Sequence, residues 1–178
     1  MNADEGGRAW KLGDDISNDQ MIPMSLVYQY DPAVLRRHLL AEVRPELPQA
    51  AVAGDWLVAG ERFAHGSNHS HPFIALAALK MGIICASMPR GAFRLAIFMG
   101  VPVLIDDAGF HATVTDGDRL SVDPASGRVD NRTQGGSFQL KPLSPFLQGI
   151  IAAGGGMGYV RQYAAETGQA ETAVPGRN

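Results

Sequence analysis

The sequence predicts an α/β fold, and three patterns predict it. Between Asp55 and Ile105, short apolar runs and apolar helical stretches follow one another as strand, helix, strand, helix, strand, the order of a sheet covered by helices. From Gly109 onward, apolar and polar residues alternate in short segments separated by Asp116-Gly117, Pro124 to Gly127 and Gly135-Gly136, which is the pattern of a β-meander. The third is the stretch Asp55 to Leu79, on which the chain is organised. A strand-like run (Trp56, Leu57, Val58, Ala59) ends at Gly60, a loop of small and polar residues follows, and Pro72 opens an Ala-rich helix. Strand, small-residue loop and helix N-terminus together present unpaired amides and a positive dipole end to an anion.

Taken in order, Arg8 to Leu12 reads as a first short strand. The cluster from Gly13 to Pro23 holds Asp14, Asp15, Ser17, Asn18 and Asp19, residues that bond to nearby backbone and make turns. Asp31-Pro32 starts a helix, with Asp as N-cap, Pro at N1, and Val34, Leu35, His38 and Leu39 at helical spacing. Glu42 to Ala50, broken by Pro45 and Pro48, reads as a connection. In the central loop, Gly66 lets backbone approach closely. Ser67 and Ser70 offer hydroxyls, and His69 and His71 offer imidazoles. Pro72 fits a first helical position, Phe73 to Met81 forms a buried helix, and Gly82 is read as its C-terminal residue. Ile83 to Ser87 is a continuous apolar strand, Phe93 to Met99 a helix, and Gly100 to Ile105 a strand. In the meander the expected strands are His111–Val114, Asp118–Val122, Arg128–Asp130 and Ser137–Leu140.

At 178 residues the chain is read as one domain over 8–166, with flexible tails at 1–7 and 167–178. A hydrophobic fraction of 46% with 19% charged residues is that of a globular chain, and a net charge of −3 gives no electrostatic case for nucleic acid or an anionic membrane. No apolar h-region and no run of about 18 apolar residues is present, so a cytoplasmic protein is expected. The single cysteine, Cys85, sits in an apolar run. One cysteine excludes an internal disulfide framework, a self-contained iron–sulfur cluster and a Cys-rich zinc site.

Several segments carry a resemblance. Gly60-Glu61-Arg62-Phe63-Ala64-His65-Gly66-Ser67-Asn68-His69-Ser70-His71 resembles G-E-N-F-G-x-G-S-S-R-E-H of the aconitase superfamily swivel domain, in the form found in small subunits of isopropylmalate isomerase (3-isopropylmalate dehydratase). Asp15, Ile16, Asp19, Ile22 and Pro23 fit the family's D-x-I-x-T-D-x-I-x-P, with Asn18 at the Thr position and Ser25 where Arg is frequent. Ser87, Arg90, Arg94, Ala96, Ile97, Gly100 and Pro102 match a third segment, in which Leu95 and Phe98 replace two Asn residues. Gly117-Asp118, Val122-Asp123, Gly127, Lys141 to Phe146 and Ile150 to Gly155 match the family's ending, which implies a final helix beginning at Ile150. The resemblance thus runs from Asp14 to about Tyr163. It implies a swivelling β/β/α, barrel-like α/β domain and the small subunit of a hydro-lyase acting on a hydroxy di- or tricarboxylic acid in leucine biosynthesis. The implied partner is a large subunit carrying a [4Fe–4S] cluster, with no cofactor or metal on this chain.

The resemblance also assigns residues. Ser67 takes the position of the base that removes a carbon-bound proton. Gly66, Asn68, His69 and Arg94 (or Arg90) take positions around a substrate carboxylate, and Asp15, Asp19 and His71 order the facing loop. A serine hydroxyl is a weak base and needs neighbouring positive potential. His69 stands where the family has Arg, Asn68 where it has Ser, and Ser70 where it has Glu. Imidazole lacks the permanent charge and bidentate fork of guanidinium. Two readings follow: a catalytic subunit of altered specificity, or a non-catalytic paralogue that binds a carboxylate or a protein partner. The isolated chain is also a candidate homo-oligomer. Two further readings of the loop are weaker. A zinc site at His65, His69 and His71 has no Cys or carboxylate pattern to fix its geometry. A Ser67–histidine hydrolase lacks both a G-x-S-x-G elbow and an orienting acid.

Overall fold

The computed structural model describes residues 6–167. The elements in chain order are β1 (Gly7–Lys11), α1 (Asn18–Met21), a 3-10 turn (Met24–Leu26), α2 (Pro32–Leu35), α3 (Leu47–Ala50), β2 (Trp56–Ala59), α4 (His71–Leu79), β3 (Gly82–Cys85), α5 (Arg90–Phe98), β4 (Val103–Ile105), α6 (Phe110–Thr113), β5 (Arg119–Asp123), β6 (Arg128–Asn131), β7 (Ser137–Gln139), α7 (Pro145–Ala152) and α8 (Gly156–Glu166). Of the expected tails, 1–5 and 168–178 lie outside the described residues, whereas Gly7 already belongs to β1.

One seven-stranded sheet runs in the order β4-β3-β2-β1-β5-β6-β7 and curls into a half-barrel. Its first half is parallel: Ala9 pairs with Trp56, Leu57 with Ile83, and Ile84 with Leu104. Its second half is the antiparallel meander, joined to the first where Gly7 pairs with Leu120. The parallel strands β2 and β3 are buried along their whole length, which is why they read as unbroken apolar runs rather than as alternation. The strand starts of β1 and β2 are tied by one buried carboxylate. Asp55 accepts from Arg8 N and Trp10 Nε1, both at 2.9 Å, and from Val52 N at 3.0 Å.

Six sequence expectations shift. The connection Glu42–Ala50 ends in a helical turn, α3 at Leu47–Ala50, because Pro48 falls in its first turn, where no N–H is needed. Gly82 does not cap α4. Lys80 does so, at φ 55°, and Gly82 begins β3, because a Cβ there would lie 2.3 Å from the Trp56 ring. His111–Val114 is not a strand. Asp106 accepts from Ala108 N, Phe110 N and His111 N, and this capped turn winds Phe110–Thr113 into α6 with Phe110 buried against Phe138. The helix capped by Asp31 stops at Leu35. A run of turns then brings Leu39 and Leu40 into the core. Pro72 is the second rather than the first residue of α4. The helix expected from Ile150 is two helices, α7 from Pro145 and α8 from Gly156, separated by the glycines near 155.

In the parallel half the loops after β1, β2 and β3 all leave from the carboxyl ends of neighbouring strands, the end of such a sheet where ligand sites form. These three loops hold the residues singled out in the sequence.

Candidate active site

The loop after β1 and the loop after β2 are joined by backbone. Ala64 N donates to Ile16 O at 2.7 Å and Asn18 N donates to His65 O at 2.8 Å, an isolated parallel bridge between Ser17 and His65. Ser17 then starts α1 through a capping box with Gln20. The Asp14 carboxylate accepts from Glu61 N at 2.8 Å, and Asp15 accepts from Arg62 Nε at 2.6 Å. The Arg62 guanidinium holds the Asp15 carboxyl below its ordinary range. The loop after β3 joins through Ser87, whose Oγ accepts from Arg62 N at 2.9 Å and donates to Glu61 at 2.6 Å. Turning the chain this tightly places Asp15, Arg62 and Ala64 at φ 54–58° and Gly66 at φ 86°. Only Gly adopts that region without cost.

On this frame the polar side chains line up. Ser67 Oγ donates to Asp19 Oδ2 at 3.0 Å, Asp19 Oδ1 meets His69 Nε2 at 3.2 Å, and His69 Nδ1 meets His71 Nδ1 at 3.1 Å. The His71 ring, 2% exposed, packs against the Tyr30 ring at a centroid distance of 4.7 Å. Ser67 is exposed and His69 half-buried, so the row runs from solvent into the protein. Burial pushes the pKa of His71 down, the His69 ring adds to this, and the Val27 backbone opposes it. Beneath the row lies Asn18, wholly buried, whose Nδ2 donates to Ser67 O at 2.6 Å and to His69 O at 2.9 Å.

Of the residues singled out in the sequence, Ser67, Asp19, His69 and His71 therefore meet. Gly66 supplies the turn before Ser67. Asn68 lies over Gly91 at the start of α5, where an added Cβ would sit 3.0 Å from its Nδ2. Asp15 pairs with Arg62 rather than entering the row. Arg90 and Arg94 are exposed on α5 and bond to none of the site side chains. Sequence reading missed Asn18, Tyr30, Arg62 and Ser87. The one signal for Asn18 was its place in the Asp15–Pro23 segment, where a hydrogen-bonding Thr is usual.

Among the described residues no group of three or more His, Cys, Asp or Glu side chains is arranged to hold a metal. Among them, too, no helix is long and apolar enough to cross a membrane.

No family model matches the chain. Individual proteins do. It is 37% identical over 161 residues to the 3-isopropylmalate dehydratase small subunit of Methanosarcina mazei, covering 90% of this chain and 98% of that protein. The chain belongs to the 3-isopropylmalate dehydratase small-subunit family. A second relative, 3-isopropylmalate dehydratase small subunit 1 of Archaeoglobus fulgidus, is 38% identical over 150 residues, covering 84% of this chain and 92% of that protein. The crystal structure of 3-isopropylmalate dehydratase from Methanocaldococcus jannaschii superposes with a TM-score of 0.84 at 27% identity, covering 92% of this chain and 96% of that one. The aconitase-type resemblance, the barrel-like α/β fold and the hydro-lyase small-subunit reading of the sequence are all borne out by this membership.

Proposed function

We propose that this chain, as one swivel domain over 8–166, is the small subunit of an isopropylmalate dehydratase-like enzyme that moves water across a hydroxy di- or tricarboxylic acid. It works in the cytoplasm, in leucine biosynthesis, with a large subunit. The observation that carries this is the Ser67–Asp19 hydrogen bond at 3.0 Å, set where three loops meet at the carboxyl ends of the parallel strands.

Ser67 Oγ takes the carbon-bound proton of the substrate while its own hydroxyl proton passes to Asp19 Oδ2. One C–H and one O–H bond break, and two O–H bonds form. The carboxylate next to Ser67 makes the hydroxyl a better acceptor at the moment of transfer. The exposed Asn68 amide and the backbone around Gly66 hold a substrate carboxylate, with Arg94 supplying charge from α5. His69 serves this site differently from an arginine, since both of its ring nitrogens already face Asp19 and His71. The departing hydroxyl needs an electrophile, and the resemblance puts a [4Fe–4S] cluster on the large subunit. This chain does not fit as its holder: Cys85 is buried and its thiol is pushed up to about 12, chiefly by burial.

The test is co-purification with the large subunit under anaerobic conditions, then dehydratase assay on 2- and 3-isopropylmalate, citrate and citramalate. A complex active on one of these, with Ser67→Ala inactive but still bound, is expected. A complex inactive on all of them favours the second reading, a non-catalytic carboxylate-binding paralogue, which the internally occupied nitrogens of His69 support.

A further inference from the structure

We propose that His69 and His71 act as one titrating unit that takes up a single proton, placed on His69 between Asp19 and a neutral His71, and that this proton fixes Asp19 as the partner of the Ser67 hydroxyl. His71 is then a positioning residue acting through His69 and Asp19. The proposal rests on Ser67 being the base.

Hydrogen-bond counting leads to it. A neutral imidazole has one donor and one acceptor nitrogen, and an imidazolium has two donors. His69 Nδ1 and His71 Nδ1 are 3.1 Å apart, so one donates and the other accepts. Two imidazolium rings would point N–H at N–H, which the contact forbids. The pair therefore holds either no charge or one. His69 Nε2 faces a carboxylate oxygen of Asp19 at 3.2 Å, so it donates in either state. If the single charge lies on His69, both of its N–H groups meet acceptors, Asp19 on one side and the His71 Nδ1 lone pair on the other, and the one unpaired nitrogen is the buried Nε2 of the neutral His71. If it lay on His71, the charge would be in a side chain 2% exposed and away from the carboxylate, with the Tyr30 ring tilted against it. Burial and the neighbouring ring both disfavour charge on His71. The charged and titratable groups facing the pair are Asp19 from α1, Tyr30 from the segment after the 3-10 turn and Ser67 of the loop. Among the described residues no other charged side chain bonds either ring.

The consequence lies at Ser67. The Asp19 carboxylate that takes up the Ser67 proton stands 3.0 Å from its oxygen. The His69 N–H on the far side of that carboxylate, with the ring held in turn by His71, fixes the carboxylate in place.

Long-range proton–nitrogen NMR of the full chain labelled at histidine nitrogen tests the proton count without any catalysis. As pH falls, one ring of the pair is expected to become doubly protonated while the other stays neutral until the chain unfolds. Both rings becoming imidazolium in the folded chain, His71 taking the proton, or neither doing so, each overturns the proposal. The coupling to Ser67 is read in the reconstituted enzyme. His71→Phe keeps a ring against Tyr30 but removes the acceptor. It should move the alkaline limb of the kcat/KM profile to lower pH by about one unit, the worth of one charge-assisted hydrogen bond. An unchanged profile defeats the positioning role, and if the variant fails to fold the NMR count still decides. An active Ser67→Ala would instead sink the base assignment while leaving the NMR result standing.

Discussion

Ser67 lies in the loop after β2 and Asp19 in α1 after β1, yet the Ser67 hydroxyl donates to the Asp19 carboxylate at 3.0 Å. Two groups that act in one proton transfer are not additive when removed. Ser67→Ala is expected to lower kcat of the reconstituted enzyme about 10²–10⁴-fold. Asp19→Asn keeps an oxygen that can accept the bond but cannot take up the proton, and should cost a similar factor. The double variant should lose no more than the worse single one. Steady-state kinetics of the four proteins checks this, and additive losses would mean that the two groups act separately.

Asn18 sets the height of the site. Its amide bonds two carbonyls of the central loop, those of Ser67 and His69. Asn18→Ala removes two hydrogen bonds and leaves two partly buried carbonyls without a donor. A loss of about 2–3 kcal/mol is expected, at about 1 kcal/mol per bond plus the desolvation left uncompensated. Urea unfolding of the isolated chain measures it. A loss under about 0.5 kcal/mol would show that water takes over both bonds.

How much of this was legible follows from range. The strands β2 and β3 and the helix that follows the central loop are local patterns of burial and backbone chemistry, and they read correctly to within a residue or two at their ends. Lys80 in place of Gly82 as the cap, and α6 in place of a strand, do not read locally. The first turns on the Trp56 ring lying across Gly82, the second on the Asp106 carboxylate gathering three amides. In the site, the resemblance pointed to Ser67, Asp19, His69 and His71 one by one. Their order as a row, and the clamp from Asn18, depend on a parallel bridge between residues 17 and 65 that no spacing announces.

The Asp15–Arg62 pair ties the same two loops from outside. Arg62 lowers the Asp15 pKa, first through the hydrogen bond and further through its charge. A carboxyl whose folded-state pKa lies below its unfolded value stabilises the fold above the unfolded pKa. That contribution is lost as pH falls through the folded one. Arg62→Ala should therefore raise the Asp15 titration midpoint toward its ordinary value, read by carbon NMR of the carboxyl. The unfolding curves of wild type and variant should differ at neutral pH and converge in acid. Because both side chains are more than half exposed, the difference should be small and should shrink in high salt. A difference that persists in acid would assign the effect to lost packing instead.

Ala64 closes the frame at φ 57°, with its methyl 3% exposed. A left-handed conformation costs an L-residue about 1–2 kcal/mol. Ala64→Gly removes that cost, but it gives up a buried methyl worth about 0.8 kcal/mol and adds about 0.5–1 kcal/mol of chain entropy to the unfolded state. These nearly cancel, so the glycine variant should stay within about 1 kcal/mol of wild type, in keeping with the Gly at this place in the family segment. Ala64→Val meets the opposite balance. A β-branched side chain is poorly accommodated at positive φ, and two extra methyl groups must enter a filled space, a change that costs about 1–3 kcal/mol by itself. Thermal unfolding of the two variants side by side separates backbone from packing. A valine variant as stable as the glycine one would mean that the loop relaxes out of the left-handed region, and the Ala64–Ile16 hydrogen bond that aligns Ser67 with Asp19 would then be lost.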